Sequence, residues 1–323
     1  MALKRTSDML VTVFGGSGFL GRHVVRALAN RGYRIRVAVR QPELTGHLQP
    51  LGRVGQIHAM QANVRVAPSV EAAARDADAV INLVGILFER GRQRFESVLA
   101  EGAENVARAA AAAGARLVHI SAIGADESSP SDYARSKADG ERRVVAADPQ
   151  ATIMRPSIVF GPEDEFFNRF AALARLSPVL PLPGGGHTRF QPVFAGDVAE
   201  AIALAVDGDA KAGVIYELGG PEVKTFKELM EFILATIERR RLLLPLPFEL
   251  MKLQAMVLQF LPKPPLTPDQ VELLKSDNVV STAAHEQGRT LEALGIVPNP
   301  VAAVVPDYLW RFRKTGQFSG RTA

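Results

Sequence analysis

Between residues 10 and 155 the chain alternates short apolar runs with stretches of helical periodicity. LVTVF opens the series, and Leu20, Val24, Val25 and Leu28 then recur at the spacing that puts side chains on one helix face. RIRVAV follows, and further runs fall at 56–60, 79–84, 117–121 and 151–155, with helical spacers between them. Strands that are apolar throughout are covered on both faces, and strands separated by helices pair in parallel. The pattern therefore predicts an α/β fold, a doubly wound Rossmann-type parallel sheet over residues 1–155. The Ala-rich stretch 104–113 reads as a well-formed helix that Gly114 ends.

After residue 155 the texture changes. Pro and Gly cluster in RPSIVFGPED and PVLPLPGGG, and strands become short and scattered. This predicts a smaller C-terminal α/β lobe over 156–323, with some chain returning to the first sheet. Thr225 and Glu228 stand at capping-box spacing, so a helix is predicted over 226–237. Asp197, in VFAGDVAEAI, is expected to cap a helix start rather than to serve as a catalytic acid.

The chemistry begins where the first strand ends. GGSGFLG places Gly15, Gly18 and Gly21 at the spacing GxxGxxG and opens directly into the first helix. Gly15 would allow the tight turn, Gly18 would let backbone approach a pyrophosphate, and Gly21 would let helix and strand pack closely, with exposed helix N–H groups receiving the phosphates. The residue ending the second strand selects the cofactor, because an acid there binds the ribose hydroxyls of NAD whereas a guanidinium suits a 2′-phosphate. Arg40 holds that place, nineteen positions after Gly21, with Arg22 near the same pocket edge. The expected cofactor is NADP(H). Asn63 and Val64 after the third strand, beside Ala62, and Leu83, Val84 and Gly85 after the fourth would complete the nucleotide site.

Tyr133 and Lys137, in YARSK, are four apart and share a helix face, and Ser121 ends the fifth strand twelve residues before the tyrosine. In such a trio the ammonium lowers the phenol pKa and reaches the nicotinamide ribose, tyrosine is the acid/base, and serine positions the reacting oxygen. The same residues also anchor a cofactor that is never released, so turnover and a purely structural role both stay open.

Composition narrows the class. The 323 residues are 47% hydrophobic and 22% charged, the balance of a globular chain with a full core. No cysteine occurs, which excludes disulfides, thiolate metal sites and cysteine nucleophiles. The six histidines show no metal-ligand spacing. A net charge of +4 is too small to imply nucleic acid. The leader MALKRTSD carries no apolar stretch of secretory length, and no apolar run reaches the roughly 20 residues that span a bilayer. A cytoplasmic protein is expected.

Several segments together resemble the NADPH-binding accessory subunit of respiratory complex I, NADH:ubiquinone oxidoreductase, in its bacterial form. The phosphate loop and YxxxK are shared with many epimerases and reductases. RPSIVFGPEDEFFNRFA, LPLPGGGHTRFQPVFAGDVAEAI, RRRLLLPLPFELMKLQ and LTPDQVELLKSDNVV are similar to that subunit and unlike sugar epimerases. The resemblance implies a structural NADPH touched by Gly15, Ser17, Gly18, Phe19, Leu20, Arg40, Lys137 and the segment Pro156, Ser157 and Ile158. It also implies other complex I subunits as partners, at the cytoplasmic side of the inner membrane. Asn63 stands where the wider superfamily often has Asp, which weakens the adenine contact.

Residues 242–261, LLLPLPFELMKLQAMVLQFL, follow Arg239, Arg240 and Arg241. A helix from about Pro247 would leave Glu249, Lys252 and Gln259 on one narrow stripe and apolar side chains elsewhere. That face is buried in its own lobe, or, within a docking segment 239–280, meets a partner or a lipid headgroup region, toward which the three arginines incline. Two other functions fit the same residues: a free-standing NADP-dependent reductase or sugar-nucleotide epimerase, and a module whose docking follows the NADPH to NADP⁺ ratio.

Overall fold

The structure, a computed structural model, describes residues 5–261 and 264–315. The chain runs β1 (Leu10–Phe14), α1 (Phe19–Asn30), β2 (Arg34–Val39), β3 (Ile57–Gln61), α2 (Ala67–Ala74) and β4 (Ala79–Asn82). Then come α3 (Glu101–Ala112), β5 (Arg116–Ile120), α4 (Asp132–Ala147) and β6 (Thr152–Pro156). Next are β7 (Val159–Phe160), α5 (Phe167–Leu176), β8 (Val179–Pro183), β9 (Arg189–Phe190), β10 (Val193–Phe194), α6 (Ala195–Asp207) and β11 (Ile215–Leu218). The remainder is β12 (Lys224–Thr225), α7 (Phe226–Thr236), β13 (Leu242–Leu246), α8 (Phe248–Leu258), α9 (Pro268–Leu273), α10 (Thr282–Glu286), α11 (Val301–Val304) and α12 (Pro306–Leu309).

Two compact units form. One comprises the chain up to Pro156 together with Gly196–Leu218 and Thr282–Ile296; the other comprises Ser157–Ala195, Gly219–Ser281 and the chain from Val297. The first is built on a seven-stranded sheet in the order β11-β6-β5-β4-β1-β2-β3, parallel at each pairing. Strands β1, β4 and β6 are buried almost throughout, as their uninterrupted apolar runs require, whereas the edge strand β3 buries only Ile57. The fourth strand stops at Asn82 instead of running to residue 84, because the Asn82 side chain takes the Val84 amide at 3.1 Å and turns the chain out of the ladder. The fifth stops at Ile120, leaving Ser121 just beyond it.

Helix α3 begins earlier than its alanines suggest, continuing from a π-helical turn at Glu96–Ala100. Gly114 ends it at φ 64°, a conformation that costs glycine little. Asp197 is not the expected N-cap. Helix α6 starts two residues earlier, so Asp197 lies within the first turn, still well placed against the helix dipole.

Helix α4 approaches its neighbours closely. A Cβ at Gly140 would stand 2.3 Å from the Leu99 carbonyl oxygen, so only glycine fits there. Two residues of α4 and the sheet then lock together: Arg155 Nε and Nη2 donate to the buried Glu141 carboxylate at 2.8 and 2.6 Å. A bidentate pair of this kind fixes orientation as well as distance.

The second unit is organised around phenylalanines. Phe160, Phe167, Phe190 and Phe226 are buried, and Phe166, Phe170 and Phe232 meet them, mostly edge to face. Asp164 caps the start of α5, accepting from the Phe167 amide at 2.6 Å and from the Tyr308 hydroxyl of α12. Burial pushes the Asp164 pKa up. The capping box at Thr225 and Glu228 forms, and α7 runs from Phe226 to Thr236.

The run 242–246 is a strand paired in parallel with β8, and α8 follows from Phe248 with Pro247 as N-cap. Only Met251 and Ala255 of α8 are buried, against Val271. Leu253, Val257 and Phe260 are 57, 70 and 84% exposed, so self-burial does not cover this face. The arginines behind it are less available than their sequence suggests. Arg239 donates to the Phe312 carbonyl at 3.0 Å and Arg241 to the Ala174 carbonyl at 2.7 Å, which leaves Arg240 exposed. No helix among the described residues is long and apolar enough to cross a membrane.

Gly140→Ala is expected to lower the unfolding free energy by about 1–3 kcal/mol, although the same change in an unobstructed helix adds up to about 1 kcal/mol. A urea titration with an unchanged or higher midpoint would contradict the close approach of α4.

Candidate nucleotide-binding site

At the C-terminal ends of β1, β2, β3 and β4 lies a cleft of about 360 Å³. The sequence-predicted residues Gly15, Ser17, Gly18, Phe19, Leu20, Gly21, Arg40, Asn63, Val64, Leu83, Val84 and Gly85 all line it. Gly15 sits at φ 78°, in the left-handed region, and a Cβ there would press on Val84 at 3.3 Å. A Cβ at Gly21 would meet Gly16 at 2.5 Å, which is why the helix and the loop can nest only around glycine. Gly18 is the N-cap of α1 and offers no side chain to the first helical N–H groups.

Arg40 is exposed at the rim. Arg22 is not part of the lining. The Asn63 side chain is committed to its own turn, accepting from the Arg65 amide at 3.2 Å, while the Val64 carbonyl accepts from Asn105 at 2.8 Å. Arg65, Ile86, Gln93 and Val98 also line the cleft and were not expected from sequence. Arg65 could have been noticed as a second cation beside the third strand. Gln93 reaches the cleft from an irregular stretch whose path no periodicity reveals, and Val98 from the π-helical turn that follows it.

Ser121, Tyr133, Lys137 and Pro156 belong to the same unit but not to the lining of this cleft. Ser157 and Ile158 lie in the second unit, where Ser157 Oγ is 2.7 Å from Asn278 Oδ1 and the Ile158 amide donates to the same oxygen at 3.1 Å.

Lys137 is buried, and its Nζ donates to the Ile120 carbonyl at 3.0 Å. Desolvation lowers its pKa to about 8, partly opposed by the Glu141 charge one turn along α4. Ser121 Oγ is buried with no hydrogen-bond partner among the described residues. Tyr133 is half-buried and meets Phe95 edge to face at 5.7 Å. His119, on the same side of the fifth strand as Ser121, is buried, and its pKa falls to about 3 through desolvation with help from the Lys137 charge. No cluster of His, Asp and Glu capable of holding a metal occurs among the described residues.

A glycine-lined phosphate cradle beside a parallel sheet, with a buried lysine and an unsatisfied serine after the next strand, defines a dinucleotide-binding fold of the epimerase and reductase kind. The model of the NAD dependent epimerase/dehydratase family matches residues 11–219, and the chain belongs to that family. Within it, the chain belongs with the NADH dehydrogenase [ubiquinone] 1 alpha subcomplex subunit 9 proteins. It is 37% identical to the mitochondrial one of Arabidopsis thaliana over 98% of this chain and 81% of that protein. It is 31% identical to the NADH-ubiquinone oxidoreductase 40 kDa subunit of Neurospora crassa, over 95% and 80%. A ceramide reductase of Caulobacter vibrioides is 39% identical, over 54% of this chain and 53% of its own. Among solved structures, an NADPH-dependent quinone oxidoreductase of Escherichia coli, complexed with NADPH, shares the fold with a TM-score of 0.73 at 19% identity, over 93% and 99% of the two chains.

An ammonium whose folded pKa lies below its unfolded value weakens the fold while both states are protonated, and the penalty is relieved as pH rises from about 8 to 10.5. Lys137→Met is therefore expected to be more stable than the native protein near pH 7, by on the order of 2 kcal/mol after losing the bond to Ile120. That advantage should shrink across the same pH window in paired denaturant titrations. A constant difference from pH 7 to 10.5 would contradict a buried, depressed lysine.

Proposed function

We propose that this protein is the bacterial counterpart of the complex I subunit 9 proteins, an accessory subunit of NADH:ubiquinone oxidoreductase that holds NADP(H) as a structural cofactor. The observation that carries the reading is where the similarity extends. The epimerase match ends at residue 219, and the ceramide reductase shares 54% of the chain, whereas the mitochondrial subunits match 92–98% of it. The part of the second unit after residue 219, which includes the exposed α8, is thus matched by the mitochondrial subunits.

The residues fit the cofactor. The open phosphate cradle at Gly15 to Gly21 suits a pyrophosphate, and the exposed Arg40 guanidinium at the second strand end suits a 2′-phosphate. Ser121 Oγ lacks a protein partner, as a group reserved for a ligand does. Lys137 and Tyr133 are the side chains that would anchor the nicotinamide half. A bound NADPH supplies a hydride donor, but in this reading it acts by stabilising the folded chain. The α8 face and its flanks over 239–280 dock against other complex I subunits, at the cytoplasmic side of the inner membrane. With Arg239 and Arg241 occupied by carbonyls, apolar burial carries that docking more than charge does.

Retention of Ser121, Tyr133 and Lys137 favours a second reading, an NADP-dependent reductase or sugar-nucleotide epimerase. Arg40→Asp should weaken NADPH binding by about 10–100-fold, a charged hydrogen bond or two, and should lower the yield of assembled complex in a deletion strain. Normal assembly by a variant that no longer holds NADPH would overturn the structural role. Tyr133→Phe removes one of the two anchors of the nicotinamide half, so it should weaken NADPH retention by no more than about 10-fold, one hydrogen bond, and leave assembly intact. If it instead abolishes a measurable reductase turnover of the isolated protein, the second reading stands.

A further inference from the structure

Behind the cleft, two buried polar side chains face each other across the sheet. Asn82 ends β4 and His119 lies on β5, the two being directly paired in the parallel register. Both are about 2% exposed. Asn82 Nδ2 lies 3.2 Å from His119 Nδ1, and Asn82 Oδ1 accepts from the Val84 amide at 3.1 Å. Val84 is in turn part of the cleft lining and packs against Gly15 of the phosphate loop, where a Cβ would come within 3.3 Å of its nitrogen.

The network has one consistent assignment of hydrogens. Asn82 must turn its carbonyl oxygen to the Val84 N–H, so its amide nitrogen faces His119, and Nδ1 of the imidazole must accept. His119 is then the neutral Nε2–H tautomer. An Nδ1–H form, or an imidazolium, would set donor against donor and push the Asn82 amide away from Val84.

We propose that His119 is a positioning residue for the nucleotide site, acting through Asn82 to hold the Leu83–Val84 backbone against Gly15 in the conformation that receives the cofactor. The inference rests on the NADP(H) reading of the cleft. Lys137 is the charged group that acts on His119 among the described residues, and its positive charge further favours the neutral imidazole. The hydrogen-bond chain ties the two halves of the site together: β5, which carries His119 and leads to Ser121, and β4, which leads to the cleft wall.

The test uses the full-length protein, NADPH and three forms: native, His119→Leu and His119→Gln. Leucine removes the acceptor, whereas glutamine can present an amide oxygen to Asn82. NADPH affinity, read from cofactor fluorescence, should fall about 10-fold in His119→Leu, the loss of one organising hydrogen bond. It should return to within about threefold of native in His119→Gln. Nitrogen-15 NMR of the native imidazole should show an accepting Nδ1 and a protonated Nε2, unchanged between pH 8 and 5. Equal affinity of a folded His119→Leu overturns the proposal, and so does an Nδ1–H tautomer or an imidazole titrating near pH 6.5. If leucine prevents folding, the NMR result and the glutamine variant still decide it. A native protein that binds no NADPH while showing the expected tautomer would refute the cofactor reading, and the positioning role with it, but leave the Asn82–His119 geometry standing.

Discussion

A buried ammonium sets the terms for the first unit. Lys137 has left water for a site where its Nζ donates to the Ile120 carbonyl, and desolvation lowers its pKa to about 8. Such a group weakens an empty fold, so the surroundings must compensate or the position must serve something else. Compensation is visible. Gly140 lets α4 close on the Leu99 carbonyl, and Glu141, held by Arg155, brings a negative charge one turn from the lysine. Ser121 Oγ and His119 Nε2 stay buried without a hydrogen-bond partner among the described residues. The proposed NADP(H) would offer such groups polar oxygens and negative charge.

The second unit answers a different requirement. It is organised by a core of interlocked phenylalanines and by the clasp between Asp164 and Tyr308. Its α8 buries two side chains and leaves Leu253 and Val257, with Phe260 just beyond the helix, in water. Contiguous apolar surface of this kind is costly for a free protein and ordinary for a subunit. Similarity to the mitochondrial subunits extends past residue 219, where the epimerase model stops, and so takes in α8.

Much of this was legible in the residues, for physical reasons. The strands of the parallel sheet show themselves because burial on both faces leaves unbroken apolar runs, and the phosphate loop because Gly15 and Gly21 answer steric demands that no other residue meets. The Thr225 capping box works from local spacing alone. Strand ends were less legible, since Asn82 stops β4 through a side-chain bond to Val84 that hydrophobicity does not encode. The arginine run misled for a similar reason: Arg239 and Arg241 read as surface charge, yet each is spent on a distant carbonyl. Gln93 and Arg65 in the cleft, and His119 behind it, depend on tertiary approach, which sequence periodicity cannot carry.

The central claim joins an assembly to a retained nucleotide, so both should be read from one preparation. The protein would be isolated from gently solubilised native membranes, and its companions and bound small molecules identified by mass spectrometry. The account predicts complex I subunits together with close to one NADP(H) per copy, surviving extensive washing. A solitary protein with an exchangeable nucleotide, or complex I containing this subunit without any NADP(H), would contradict it.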